Sequence, residues 1–239
     1  MTASVPLVFL LDVDNTLFDN DGFRADLSAR LERDFGAAAR DRYWALYEQR
    51  RERLGYADYL GALQDFSNDQ EPCTPLLQMS AYLLDYPFAQ RLYSRALEAI
   101  AYLQRIGQPV VLSDGDAVFQ PRKVQRSGIW DAVAGRVLIY PHKQHELESV
   151  RRLCPGEHYV MVDDKPWLLD AMKSLMGLRL TTVFERQGHY AHESPPVALH
   201  VPPDLTIEHI GDLMGLDAGA FRLPHARAAL PHVGAAVPT

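Results

Sequence analysis

The sequence predicts an α/β protein, on two observations. From Pro109 onward, short β-rich apolar runs alternate with segments of helical spacing. One more apolar run, Leu7 to Val13, stands far upstream, and the text between is helical, charged and aromatic. Apolar strands separated by helices build βαβ units. The expected core is therefore a Rossmann-like parallel sheet with helices on both faces, interrupted after its first strand by an all-α insert.

The elements follow in order. Leu7–Val13 is the first strand. From about Asp19 to Gln90, apolar residues recur at three- and four-residue intervals: Leu27, Leu31 and Phe35, then Trp44, Leu46 and Tyr47, punctuated by Gly36 and Gly55. Asn68 to Pro75 reads as a loop, and a further helical piece runs through Leu84 before Tyr86-Pro87. Strands are then expected at Pro109–Asp114, Gly135–Tyr140, His158–Asp164 and Leu178–Phe184. Helices are expected near Phe119–Ser127, Gln144–Leu153 and Pro166–Met176. The tail, rich in Ala and Pro, shows no period. The division is 1–18 and 91–218 for the core, 19–90 for the insert and 219–239 for an irregular tail.

Composition narrows the function. With 239 residues, 47% hydrophobic and 23% charged, the chain has ample material for a packed interior. A formal charge of −7 and no basic stripe argue against a nucleic-acid partner. Cys73 and Cys154 have neither disulfide-framework nor zinc spacing. No apolar window is long enough for a membrane span, and no leader pattern opens the chain. The expectation is a cytoplasmic monomer or homodimer.

In an open parallel sheet, chemistry gathers beyond the carboxyl ends of the strands. Here those ends carry Asp12 and Asp14, then Ser113 and Asp114, then Lys143, then Asp163 and Asp164. Carboxylates crowded on one rim repel unless a cation lies among them, and hard oxygen ligands select Mg²⁺. A lysine at the same rim neutralises charge and grips an anionic oxygen.

These patches resemble, in order, the motifs of the haloacid dehalogenase (HAD) superfamily, which is dominated by Mg²⁺-dependent phosphatases. "DVDNT" is similar to the first motif, "VVLSD" to the second, Lys143 to the third and "VMVDD" to the fourth, and the helical insert resembles a type-C1 cap. The resemblance implies Asp12 as nucleophile, forming an aspartyl-phosphate, and Asp14 as general acid/base whose backbone carbonyl also meets the metal. It implies that Thr16 anchors the turn and orients that acid, and that Ser113 and the backbone N–H of Asp114 bind phosphoryl oxygens. Lys143 would stabilise the transferring group, while Asp164, with Asp163 through water, would hold Mg²⁺. Lys143 is preferred to Lys123, which falls where the family carries a surface helix. The fourth motif departs from the frequent Gly-Asp-Ser-x-x-Asp: Asp163 replaces the glycine and Lys165 the serine. Asp170 reads as a surface or supporting group rather than a ligand.

The expected activity is hydrolysis of a small soluble phosphorylated metabolite. A 2-haloacid dehalogenase is the alternative, disfavoured because the family's dehalogenases lack the second aspartate of the first motif. A phosphotransferase or phosphomutase differs only in the acceptor, and a catalytically idle binding protein fits poorly with an intact motif set. Within the insert, Trp44, Tyr47, Tyr56, Tyr59, Phe66, Tyr82, Tyr86 and Phe88 read mainly as packing, and Arg24, Arg50, Arg51 and Arg53 as a solvated helix face. His189 and His192 lack a zinc pattern.

Overall fold

The computed structural model describes residues 5–68, 74–193 and 198–222. Its sheet has six parallel strands: β1 (Val5–Leu11), β2 (Gln108–Asp114), β3 (Val137–Tyr140), β4 (Gly156–Asp163), β5 (Leu180–Glu185) and β6 (Leu205–Ile207). Their spatial order is β3-β2-β1-β4-β5-β6, so the strand that starts the chain lies inside the sheet. Leu11 is in register with both Val111 of β2 and Val162 of β4, which brings the ends of all three strands together. β1 is apolar throughout because both its faces are covered. Leu7, Phe9 and Leu11 face one core; Val8 and Leu10 face the other.

Helices α1 (Asn20–Phe35), α2 (Ala37–Leu54), α3 (Tyr59–Ser67) and α4 (Thr74–Asp85) follow β1 and form the insert. In α1 the buried residues Phe23, Leu27 and Leu31 repeat every fourth position, a single inward stripe. Asp19 and Asp58 accept hydrogen bonds from the backbone N–H groups of Gly22 and Gly61 and so start α1 and α3. α2 stops at Gly55, whose left-handed φ of 79° suits glycine. A Cβ there would also strike the His142 ring, so the end of α2 closes directly onto the core loop after β3. The chain leaves and re-enters the core side by side: the Asp19 N–H donates to Arg91 O, and the Tyr93 N–H to Leu17 O.

Beyond the insert come α5 (Ala96–Ile106), α6 (Phe119–Arg126), α7 (Ile129–Ala132), α8 (Leu147–Leu153) and α9 (Pro166–Met176). Buried residues of α5, α6 and α7 join the core beneath Phe9, and those of α8 and α9 join the opposite one. The α/β class and the parallel sheet agree with the expectation. Neither α5 nor β6 stood among the expected elements, although α5 carries a clear inward face of Ala96, Ala99, Ile100 and Leu103; β6, which follows a Pro-Pro pair, is only three residues long. β3 starts only at Val137 because Ala134 (φ 52°) and Gly135 (φ 72°) make a left-handed turn before it. The helix expected at Gln144 begins at Leu147; the Lys143 N–H is bound by the Asp114 carboxylate at 2.7 Å, which fixes a short 3₁₀ turn instead. The tail, expected irregular from Gly219, is docked at its start: Phe221 is buried edge-on against Phe9 at 5.1 Å. Residues 223–239, and Cys73, lie outside the described residues.

Candidate active site

The first motif is a tight loop on the end of β1. The Asp12 N–H still pairs with Val162 O at 3.0 Å; then the N–H groups of Leu17 and Phe18 both return to Val13 O. Asn15 takes the left-handed conformation (φ 60°), which asparagine tolerates better than most residues. Its side-chain oxygen accepts from the N–H groups of Asn20 and Asp21, so the loop itself caps α1.

Asp12 is buried, and its Oδ1 lies 2.5 Å from Lys143 Nζ. That ammonium also donates to Asp163 Oδ2 at 2.6 Å and stands 4.0 Å from Asp114. Asp164 is buried beside them, with Oδ1 3.2 Å from Lys165 Nζ. Burial alone would raise the Asp12 carboxyl, but Lys143 and then Lys165 hold it below the ordinary carboxylate range. For Asp163 burial wins, with the Asp12 charge adding to it, and its carboxyl is raised. Burial pushes Asp164 up to about 8 against the pull of Lys165. Burial disfavours the Lys143 ammonium, yet Asp12 and Asp163 hold its proton more tightly than usual. Three acidic side chains thus share the rim with two ammoniums, and burial and crowding keep a proton on Asp164 until about pH 8.

The cluster meets the requirements of a hard divalent cation. One oxygen each from Asp12, Asp163 and Asp164 fall within 4.8 Å of one another. Among the described residues, Asp12 Oδ2 and Asp164 Oδ2 are buried without a hydrogen-bond partner. Both Asp163 oxygens are already engaged, by Lys143 Nζ and by the Lys165 N–H. Orphaned buried carboxylate oxygens are costly, and a cation satisfies them.

Asp14 faces the same cavity from a different setting. Its Oδ1 is 2.5 Å from Lys123 Nζ, and its Oδ2 accepts from Gln120 at 3.4 Å. Gln120 also donates to Ser113 Oγ at 2.9 Å, tying the second motif to the first. Lys123 corrects the surface assignment made from its position: it is fully buried, donates to Asn20 Oδ1, and lies among the rings of Phe18, Phe23, Tyr59 and Phe119, between 5.1 and 6.0 Å from their centroids. The signal was present in α6, where Phe119, Gln120, Lys123 and Val124 form one buried stripe containing two polar residues.

Thr16 is a second correction. It is buried, its hydroxyl has no hydrogen-bond partner, and it does not line the cavity. The side-chain bonds that anchor the turn come from Asn15, and those that hold Asp14 come from Lys123 and Gln120. Asp170 stays out of the cluster but is buried rather than on the surface, accepting from the N–H groups of His200 and Val201.

A cavity of about 420 Å³ opens above this rim. Asp12, Asp14, Ser113, Asp114 and Lys165 form its core side; Arg24, Tyr47, Glu48, Arg51 and Tyr56 come from the insert. Arg53 is exposed, as expected, but its neighbours are engaged: Arg24 lies over Trp44 and Tyr47 and pairs with Glu48, which also holds Arg51, while Arg50 is held by Asp58 and Asp65. His189 bridges insert and core, its Nδ1 2.7 Å and its N–H 3.0 Å from the Asp21 carboxylate.

The comparisons agree with this geometry. A family model for haloacid dehalogenase-like hydrolases matches residues 7–175. A crystal structure from Burkholderia xenovorans LB400, described as a haloacid dehalogenase-like hydrolase, is 55% identical, with a TM-score of 0.84 over 90% of this chain and 98% of its own. Two more distant structures share the fold. L-2-haloacid dehalogenase from Xanthobacter autotrophicus, with chloropropionic acid covalently bound, has 16% identity and a TM-score of 0.58 over 88% of this chain and 97% of its own. A HAD-hydrolase from Bacillus subtilis bound to magnesium has 14% identity and a TM-score of 0.59 over 89% and 98%. No curated protein matches the chain. No helix among the described residues is long and apolar enough to cross a membrane. The motif order along the strand ends, the family model spanning most of the chain and the close structural relative converge: this protein belongs to the haloacid dehalogenase-like hydrolases.

Proposed function

We propose that the chain is a Mg²⁺-dependent phosphomonoester hydrolase of a small phosphorylated metabolite, working through an aspartyl-phosphate on Asp12. The observation that carries this reading is the state of Asp12, a residue that lines the cavity: Lys143 holds one of its oxygens, while the other is buried and unpartnered. A carboxylate in that state is a nucleophile in waiting.

Asp12 attacks phosphorus through one oxygen of its carboxylate; the new O–P bond replaces the bond to the leaving oxygen, which takes a proton from Asp14. Asp14 then removes a proton from water, the water oxygen attacks phosphorus, and the bond to Asp12 breaks to free phosphate. Ser113 and the Asp114 N–H orient the phosphoryl oxygens, and Lys143 offsets their charge. Asp164 and Asp12, with Asp163 through water, would hold Mg²⁺, which when bound supplies charge neutralisation at those oxygens. The helical insert acts as a cap: with its residues opposite Asp12 and Asp14 it limits the substrate's size and excludes bulk water. The magnesium-bound Bacillus subtilis relative and the covalently loaded Xanthobacter autotrophicus dehalogenase support a metal and a covalent intermediate on this fold. Asp14, beside the nucleophile, favours phosphorus over a carbon–halogen bond.

The test is phosphate release over a panel of phosphorylated metabolites, with and without Mg²⁺, beside halide release from 2-chloropropionate. Metal-dependent phosphate release that vanishes in Asp12→Asn supports the reading. Metal-independent chloride release replaces it with dehalogenation, and transfer to a hydroxyl acceptor without free phosphate replaces it with phosphotransfer.

A further inference from the structure

We propose that Lys165 is a tethered cation that competes with the divalent metal for Asp164 and so sets how much metal the protein needs. The proposal rests on the metal reading above and adds a control to that site.

Lys165 precedes α9, whose first residue is Pro166. Its backbone is extended (φ −109°, ψ 99°) and anchored, because its own N–H donates to Asp163 Oδ1 at 2.8 Å. That anchor turns the side chain back over the acidic cluster, where Nζ lies 3.2 Å from Asp164 Oδ1 and 5.4 Å from the centre of the Tyr190 ring. The same side chain lines the cavity with Asp12 and Asp14 and keeps 23% of its surface exposed. Lys143, by contrast, is locked fully inside between Asp12 and Asp163. Of the two lysines at the cluster, only Lys165 lines the cavity.

The ligand atom left to a metal on Asp164 is Oδ2, on the same carboxyl group whose Oδ1 the ammonium holds. A divalent ion on that group therefore sits within a few ångströms of a positive charge, and the two repel in a partly dehydrated site. Either the metal binds against that repulsion, or the side chain swings toward the cavity and gives up its pairing with Asp164; both weaken metal binding. By linkage, the coupling acts equally in the other direction, so bound metal releases Lys165 into the cavity. The serine that the family often carries here has no charge with which to compete.

The test is calorimetric titration of MgCl₂ into the intact protein, free of substrate. Lys165→Gln and Lys165→Ser should bind Mg²⁺ about tenfold more tightly than the native chain. Lys165→Arg, which keeps the charge, should stay near native affinity, and Asp164→Asn should lose binding. Circular dichroism and thermal unfolding establish that each variant is folded. If the native chain binds Mg²⁺ and the neutral variants bind it equally or more weakly, competition is overturned while the metal reading stands. If no version binds Mg²⁺, the metal reading fails and takes this proposal with it.

Discussion

Lys143 and Lys123 each place an ammonium 2.5 Å from an aspartate of the same loop, Asp12 and Asp14, and both lysines are fully buried. Their surroundings have nothing else in common. Lys143 has Asp163 at 2.6 Å and Asp114 at 4.0 Å as further partners. Lys123 is ringed by Phe18, Phe23, Tyr59 and Phe119, and Asp14 is its one ionic contact among the described residues. On the Asp12 side the lysine serves the acids, since carboxylates outnumber ammoniums. On the Asp14 side the acid serves the lysine, since the aromatic shell offers no second negative charge. A buried charge that loses its only counter-charge costs far more than one with a spare.

That contrast can be broken by mutation. The largest effect is expected from Asp12→Asn, which removes the nucleophile. Phosphate release should fall by more than about 10⁴-fold in a steady-state assay. Because Lys143 keeps Asp163, its unfolding midpoint in urea should move little. Substantial residual turnover would refute Asp12 as nucleophile.

Asp14→Asn should slow turnover by about 10²- to 10⁴-fold. It should also destabilise the fold by about 3–5 kcal/mol, by stranding Lys123 in its aromatic shell. Equal urea stability of the Asp12→Asn and Asp14→Asn variants would erase the distinction between the two sides. Lys123→Met sharpens it from the other partner. Asp14 keeps 20% of its surface exposed and can turn to water, so stability should fall by only ~1 kcal/mol. The rate constant at saturating substrate should still drop, because Asp14 is no longer held in place.

Glu185, at the end of β5, is the limiting case of the series. It is buried, and neither of its oxygens closes a hydrogen bond, although the Gln187 N–H lies near. Burial pushes its carboxyl from 4.5 up to about 9. The folded state therefore keeps a proton that the unfolded chain loses first. Its contribution to stability is whole below 4.5 and is lost as pH rises through about 9. Glu185→Gln should match the native chain at pH 4.5 and exceed it progressively toward pH 9, then stay level. A gain of ~1 kcal/mol would appear as about 2–4 °C in the melting temperature. A pH-independent difference would show that Glu185 ionises freely.

Much of this site is legible in the amino-acid order. Asp12, Asp14, Ser113, Lys143, Asp163 and Asp164 stand at strand ends, and a parallel sheet brings strand ends together whatever the connections do. The supporting residues were harder. Gln120 and Lys123 share a helical stripe with Phe119 and Val124, but two polar residues in that stripe read as solvated until the insert packs over them. Thr16 fits the motif by type, yet in this loop Asn15 makes the bonds. Phe221 docks on Phe9 across the whole length of the chain, a contact no local pattern announces.

Periodicity and strand-end chemistry are properties of a few consecutive residues, which is why the α/β class, the helical insert and the acidic rim could be read from the amino-acid order alone. Which lysine belongs to which aspartate was settled only in three dimensions. An ammonium's role depends on the charges and rings around it, and those arrive from elements more than a hundred positions apart in the chain, as with Lys123 and Asp14 or Lys143 and Asp12. Burial is a sum over distant neighbours, and no short window of sequence contains that sum.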